Sequence, residues 1–204
     1  MGTILEEAAA GRVTIVPWTV DQYHRAIEAG LVPQDVPLEL IDGFIVRKNR
    51  AAAGDDPMAV GERHRVTLMR LAEAASAFEA HGCFLQTQQP ISLPPNSEPE
   101  PDGAVVNGAI DDYLNHPPTA KDVSCVVEVA DGSLSVDLGP KLLAYAKAGI
   151  PQYLVVDLVN DHVVIHEEPE DGTYSLVTTL YRGDTVPIAG GAKHVAMGVD
   201  RLLP

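Results

Sequence analysis

The chain has 204 residues, 46% of them apolar, with 29 acidic against 14 basic side chains and a formal charge of −15. At about 100–200 residues per domain this is one domain with ample material for a core, which excludes disorder over most of its length. The acidity argues against a general polyanion binder, whose usual mark is a basic footprint.

In chain order, residues 1–16 read as a loose lead-in and residues 17–204 as a single domain. Thr19 and Gln22 make a capping box that opens a helix, with Trp18 and Tyr23 spaced as a hydrophobic staple and Gly30 as the stop. Leu38-Glu39-Leu40-Ile41 and Phe44-Ile45-Val46 flank Asp42-Gly43, a strong hairpin signal. Residues 47–70 are the one basic stretch, with six basic groups (Arg47, Lys48, Arg50, Arg63, Arg65, Arg70) against three acidic ones. A small-residue loop is expected at 51–60. A long helix is expected over 61–80, with Leu68, Leu71, Ala75 and Phe78 as its apolar stripe and His64 one turn before Leu68.

Strands are expected at Cys83–Leu93, Gly103–Val106 and Val123–Val129. A helix over 138–148 should follow, capped by Asp137, with Pro140 in its first turn and Gly149 at its end. Tyr153–Val156 reads as a buried strand, and Val163–His166 with Tyr174–Leu180 as a hairpin over Glu170-Asp171-Gly172. The tail around Pro187, Gly190 and Gly191 carries no assigned element. The order predicts an α/β (α+β) domain, a single mixed sheet flanked by helices. Val123–Val156 should form its parallel crossover.

No apolar run approaches the roughly 18–20 residues of a membrane helix, and the first residues do not pattern as a secretory signal. Cys83 and Cys125 make neither a disulfide framework nor a zinc site. A cytoplasmic setting is expected.

Chemistry concentrates in two acids. Asp102 enters one apolar strand, and Glu128 interrupts the most apolar run in the chain. If those strands are antiparallel neighbours, the two carboxylates converge. A buried carboxylate costs several kcal/mol unless paired or bound to a cation. Hard oxygen ligands of this kind suit Mg²⁺ or Mn²⁺. Lys141, in the first turn of the next helix, can reach the pair, and Glu39 is a candidate fourth member. The inert alternative is a structural Glu128–Lys141 ion pair. His64 is either a satisfied histidine on an apolar face or a catalytic one. Tyr145 reads as core. Gln86 and Gln88 either line the cleft or lie exposed, and His162 and His166 fit a solvated strand face.

These residues carry a specific resemblance. The run Glu128-Val129-Ala130-Asp131-Gly132-Ser133-Leu134-Ser135-Val136-Asp137, with Lys141, Tyr145, Gly149-Ile150-Pro151 and Tyr153–Asp157, resembles the Uma-type restriction endonuclease family of the PD-(D/E)XK nuclease-like fold. Glu98–Asp102, His64, Leu38–Gly43, Tyr174 and Arg182-Gly183-Asp184 extend it over nearly all the chain after residue 17. The resemblance implies a restriction-endonuclease-like core with a C-terminal β-hairpin extension. It also implies a Mg²⁺-dependent endonuclease acting on DNA. Asp102 and Glu128 would be metal ligands with the Val129 carbonyl. Lys141 would replace the motif's usual lysine, whose place is taken by Ala130, and Glu39 would be the early supporting acid. Lys141 would then position or deprotonate a water, or stabilise charge on the phosphate. Gln152 and Leu154 depart from the glutamate and tryptophan usual in the family.

On that reading Arg47, Lys48 and Arg50 contact the phosphate backbone, and Arg63 and Arg70 either join them or sit on a solvated helix face. Two copies in a homodimer would suit duplex cleavage. Two further readings stay open: a catalytically inactive nuclease-fold module binding nucleic acid or protein, and a metal-dependent hydrolase of another phosphoester.

Overall fold

The structure, a computed structural model, describes residues 3–33, 35–48 and 61–204; the expected loop at 51–60 and Arg50 lie outside the described residues. The elements in order are α1 (Ile4–Ala9), α2 (Val20–Glu28), β1 (Leu38–Ile41), β2 (Phe44–Arg47), α3 (Glu62–Ala72), α4 (Ala75–Glu79), β3 (Cys83–Thr87), β4 (Gly103–Asn107) and β5 (Val123–Ala130). Then come α5 (Leu134–Val136), a π-turn at Asp137–Lys141, α6 (Leu142–Ala148), β6 (Gln152–Asp157), β7 (His162–Glu170), β8 (Thr173–Leu180), β9 (Thr185–Gly190), β10 (Lys193–Gly198) and α7 (Val199–Leu202).

Six strands form one mixed sheet in the order β3-β4-β5-β6-β7-β8. Only β5 and β6 are parallel, as the crossover pattern predicts. Both central strands are buried along their whole length, which explains their unbroken apolar runs. Alternation sends Val127, Val129, Leu154 and Val156 to one face, where α3, α4, α7 and the β9–β10 hairpin cover them. Val126, Ala130, Tyr153 and Val155 go to the other, under Tyr145 and Ala146 of α6. The domain is thus a mixed sheet flanked by helices, the expected fold class.

The β1–β2 hairpin lies outside this sheet. Asp42 (φ 50°) and Gly43 (φ 80°) both take the left-handed conformation of its two-residue turn. Gly43 is required on a second ground: a Cβ there would lie 2.2 Å from Pro17 Cβ. One face of the hairpin, Leu38, Leu40 and Ile45, packs on Val20, Tyr23 and Ala26 of α2. The capping box of α2 forms as expected, Thr19 accepting from the Gln22 N–H.

Four expectations are corrected. The helix expected over 61–80 divides after Ala72, where the Ala74 N–H turns to the Leu71 carbonyl and α4 is re-aimed along β3. The strand expected to reach Leu93 ends at Thr87, because Gln88 has φ 50°. The helix expected from 138 starts at Leu134 and is interrupted by Gly139 (φ −117°, ψ −106°) and Pro140. Proline lacks the N–H of a regular turn and clashes with the carbonyl four residues back, and glycine absorbs the distortion. The tail contains a hairpin and a short helix, and Val186, Ile188, Val195 and Leu202 complete one core. The lead-in also holds a capped helical turn, α1, with no buried residue. Among the described residues no helix is long and apolar enough to cross a membrane.

Candidate active site

Strand register brings the two acids together. Gly103 of β4 pairs with Val127 of β5, so Asp102, one residue before β4, falls beside Glu128. Asp102 Oδ2 accepts the Val129 N–H at 2.9 Å and lies 2.9 Å from His64 Nε2. His64 reaches it from α3, whose Leu71 is seated so close to Gly103 that a Cβ there would lie 2.9 Å from Leu71 Cδ2. The buried Nδ1 of His64 has no partner among the described residues. Burial pushes the Asp102 carboxyl up, but His64, the Val129 N–H and Lys48 outweigh it and hold it below the ordinary value.

Glu128 points to the face under α6. Its Oε1 accepts from Lys141 Nζ at 2.8 Å and from the Tyr145 hydroxyl at 2.9 Å. Burial pushes its pKa up to about 8; Lys141 opposes this, while Asp102, Asp137 and Glu39 add to it. Lys141 is itself buried, 3.1 Å from Glu39 Oε1. Desolvation works against its ammonium, yet Glu128, Glu39 and Asp137 keep its pKa above that of an ordinary lysine. Glu39 Oε1 also accepts the Glu100 N–H at 2.9 Å and lies 3.4 Å from Lys48 Nζ.

Sequence reasoning missed Asp137 as a member of this group. It is no helix cap. The π-turn rotates it inward, where it is buried and accepts from the Ser133 hydroxyl. Burial raises its pKa to about 6 against the pull of Lys141 and Ser133. The Gly139-Pro140 pair was the available signal, since it breaks the regular helix on which a cap assignment depends. The hydroxyl of Tyr145, read only as core, was the second omission.

A cavity of about 420 Å³ gathers Glu39, Asp102, Glu128, Val129, Lys141, His64, Gln88, Arg47 and Lys48, with Asp137. The other basic residues are placed elsewhere. Arg63 donates to the Leu158 carbonyl and Asp161, and Arg70 to the Leu203 carbonyl, so both anchor chain segments rather than line the cavity. Lys48 lines it but donates to the Glu100 carbonyl at 2.6 Å. His166, expected on a solvated face, is buried against Tyr153 and Tyr174.

The donor set fits a hard divalent cation. Asp102 and Glu128 each engage one carboxylate oxygen, and among the described residues no donor reaches Asp102 Oδ1 or Glu128 Oε2. Three buried acids, Glu128, Glu39 and Asp137, act on the Lys141 ammonium, and Asp102 lies beside Glu128, a concentration of acidic groups that a cation relieves. Among the described residues no group of three His, Cys, Asp or Glu side chains is placed to hold a metal ion by itself.

The family model for Uma2, described as "Putative restriction endonuclease", matches residues 20–193. The chain belongs to the Uma2 family. No curated protein matches it. Among solved structures it is similar to a protein from Anabaena variabilis described as a "putative nuclease belonging to DUF820". That match has a TM-score of 0.66 at 15% identity, covering 91% of this chain and 97% of the other. Family and fold are therefore nuclease-like. This Uma2 chain's Gln152 works behind the site. Its amide donates to the Pro187 carbonyl at 2.9 Å and to Glu167 at 3.0 Å, and its Oε1 accepts the Ala189 N–H at 2.8 Å. It thereby fastens β9 to the central sheet. Leu154 fills the same side of the core.

Proposed function

We propose that the chain is a Mg²⁺- or Mn²⁺-dependent nuclease that hydrolyses phosphodiester bonds of DNA in the cytoplasm. The observation that carries this reading is the meeting of Asp102 and Glu128 at one end of a cavity, with the Lys141 ammonium against Glu128. Asp102 and Glu128, with the Val129 carbonyl, would hold the cation. When bound, it supplies Lewis-acid polarisation of the phosphate and lowers the pKa of the attacking water.

The chain's own groups have separable parts. Lys141, surrounded by acids that favour its charged form, is not the base; it holds Glu128 and Glu39 in place and stabilises negative charge developing on phosphate oxygens. His64 holds Asp102 in place through Nε2. Arg47, at the cavity wall, is the cation without a partner among the described residues and is available for a substrate phosphate.

The test is incubation of plasmid and single-stranded DNA with Mg²⁺ or Mn²⁺ beside an Asp102→Ala variant. Cleavage lost in the variant supports the nuclease. No cleavage together with no metal binding by calorimetry rejects it in favour of an inactive nuclease-fold module, for which the Lys141–Glu128 contact would be only structural. Metal binding without DNA cleavage turns the site toward another phosphoester.

A further inference from the structure

The acidic end of the cavity accounts for only part of its wall. In the β1–β2 register Glu39 faces Val46 and Ile41 faces Phe44, so these four residues share one face of the hairpin. The opposite face is taken up by α2. The first face therefore lines the cavity, with Glu39 beside the carboxylates and Phe44 beyond Ile41 near the turn. Ile41 is 3% exposed, whereas Phe44 is 42% exposed, so its ring is open to the cavity rather than packed. Val136 and Pro140, from the distorted segment after β5, add further apolar wall. Gly43, wedged against Pro17, fixes where the Phe44 ring stands.

Charge restricts what can lie against this wall. Of the three Lys and Arg side chains that line the cavity among the described residues, Lys141 is held by Glu128 and Glu39, and Lys48 by Glu100 and Glu39. Arg47 has no hydrogen-bond or ion-pair partner among the described residues. Nonspecific affinity for duplex DNA comes almost wholly from several basic contacts to phosphates. With a net charge of −15 and one such cation at the site among the described residues, the chain is poorly suited to supply them. Single strands are held differently, by stacking of exposed bases on aromatic rings, which works for every base. The volume of about 420 Å³ falls in the range of roughly 300–1,000 Å³ typical of pockets for one small molecule.

Resting on the nuclease reading above, we propose that Phe44 and the apolar wall beside it form a pocket for one unpaired nucleobase. The strand to be cut would enter single-stranded, with its base against Phe44, its phosphate at Asp102 and Glu128, and Arg47 beside it. An active site of this kind takes one strand at a time and does not need a second copy of the chain.

The test is calorimetry in Mg²⁺ with thymidine 5′-monophosphate and with deoxyribose 5-phosphate, which lacks the base. The nucleotide should bind about tenfold tighter or more, as expected for one stacked base. Phe44→Ala should remove that difference and Phe44→Trp should keep it. A thymidine oligonucleotide should displace the nucleotide about tenfold better than a blunt duplex of equal length. Equal binding of the two small ligands, an unchanged preference in Phe44→Ala, or equal competition by the duplex overturns the proposal. Because binding is read without turnover, the two readings separate. Phe44-dependent nucleotide binding with no DNA cleavage leaves the base pocket standing and removes the nuclease. Cleavage lost in Asp102→Ala with no role for Phe44 does the reverse.

Discussion

Lys141 Nζ stands 2.8 Å from Glu128 Oε1 with both side chains buried, and the same ammonium lies 3.1 Å from Glu39. Such a pair adds little over a well-packed apolar one, but losing one partner leaves a buried charge uncompensated, at a cost of about 3–5 kcal/mol. Lys141→Met should therefore lower stability by about that amount in urea unfolding. Adding Glu128→Gln should return part of it by removing one of the stranded acids. Strictly additive losses in the double variant would mean that the contact carries no coupling.

Gln152 makes a more local prediction. Its amide saturates the Pro187 carbonyl and the Ala189 N–H, two main-chain groups of β9. Gln152→Ala leaves both without a partner at the edge of the core and should cost about 1–3 kcal/mol. Gln152→Glu should also destabilise this chain. It loses the donor to Pro187 and sets a second carboxylate against Glu167. Parallel denaturation of the three proteins tests this. A Gln152→Glu variant as stable as the native chain at pH 7 would show that β9 is held by its apolar contacts alone.

Gly43 links stability to the cavity. An alanine there must adopt φ 80° and place its Cβ 2.2 Å from Pro17 Cβ. Strain at such a position costs on the order of 1–3 kcal/mol, so Gly43→Ala should lower the melting temperature. It should also weaken nucleotide binding, because the clash moves the hairpin that carries Phe44. Reduced stability with nucleotide affinity intact would separate the turn from the pocket.

How much of this was legible depended on how local the determining physics is. Thr19 with Gln22 and Asp42 with Gly43 specify their cap and turn within four residues, and the structure places both as read. Asp102 and Glu128 could be brought together on the expectation that their strands are antiparallel neighbours, which sets the start of one beside the end of the other, and the pairing of β4 with β5 agrees. Asp137 could not, because its direction is set by a π-turn whose width depends on how Gly139 and Pro140 resolve a clash. The β9–β10 hairpin stayed hidden for a related reason: its apolar residues alternate with Pro187, Gly190 and Gly191, and what holds it is distant, in Gln152 and the core beneath it. Phe44 was visible as a strand residue, but its exposure depends on Ile41 being buried and on α2 claiming the other hairpin face.

His166 gives the fold a pH dependence away from the active site. It lies on β7 opposite Tyr153, with ring centroids 5.8 Å apart, and is equally close to Tyr174. The hydroxyls of both tyrosines donate elsewhere, to the Asp137 and Ile150 carbonyls, and the buried His166 Nε2 has no partner among the described residues. Burial therefore lowers the His166 pKa below its ordinary 6.5. A histidine whose pKa falls on folding binds its proton more tightly in the unfolded chain. Its neutral form costs nothing above pH 6.5, and stability is lost as the pH falls below that value. His166→Phe keeps the stack and removes the titration, so the variant should lose less stability than the native chain between pH 8 and pH 5. Urea midpoints across that range give the comparison, with other acids contributing equally to both proteins. Identical losses would mean that His166 takes up its proton in the folded state as readily as in the unfolded one.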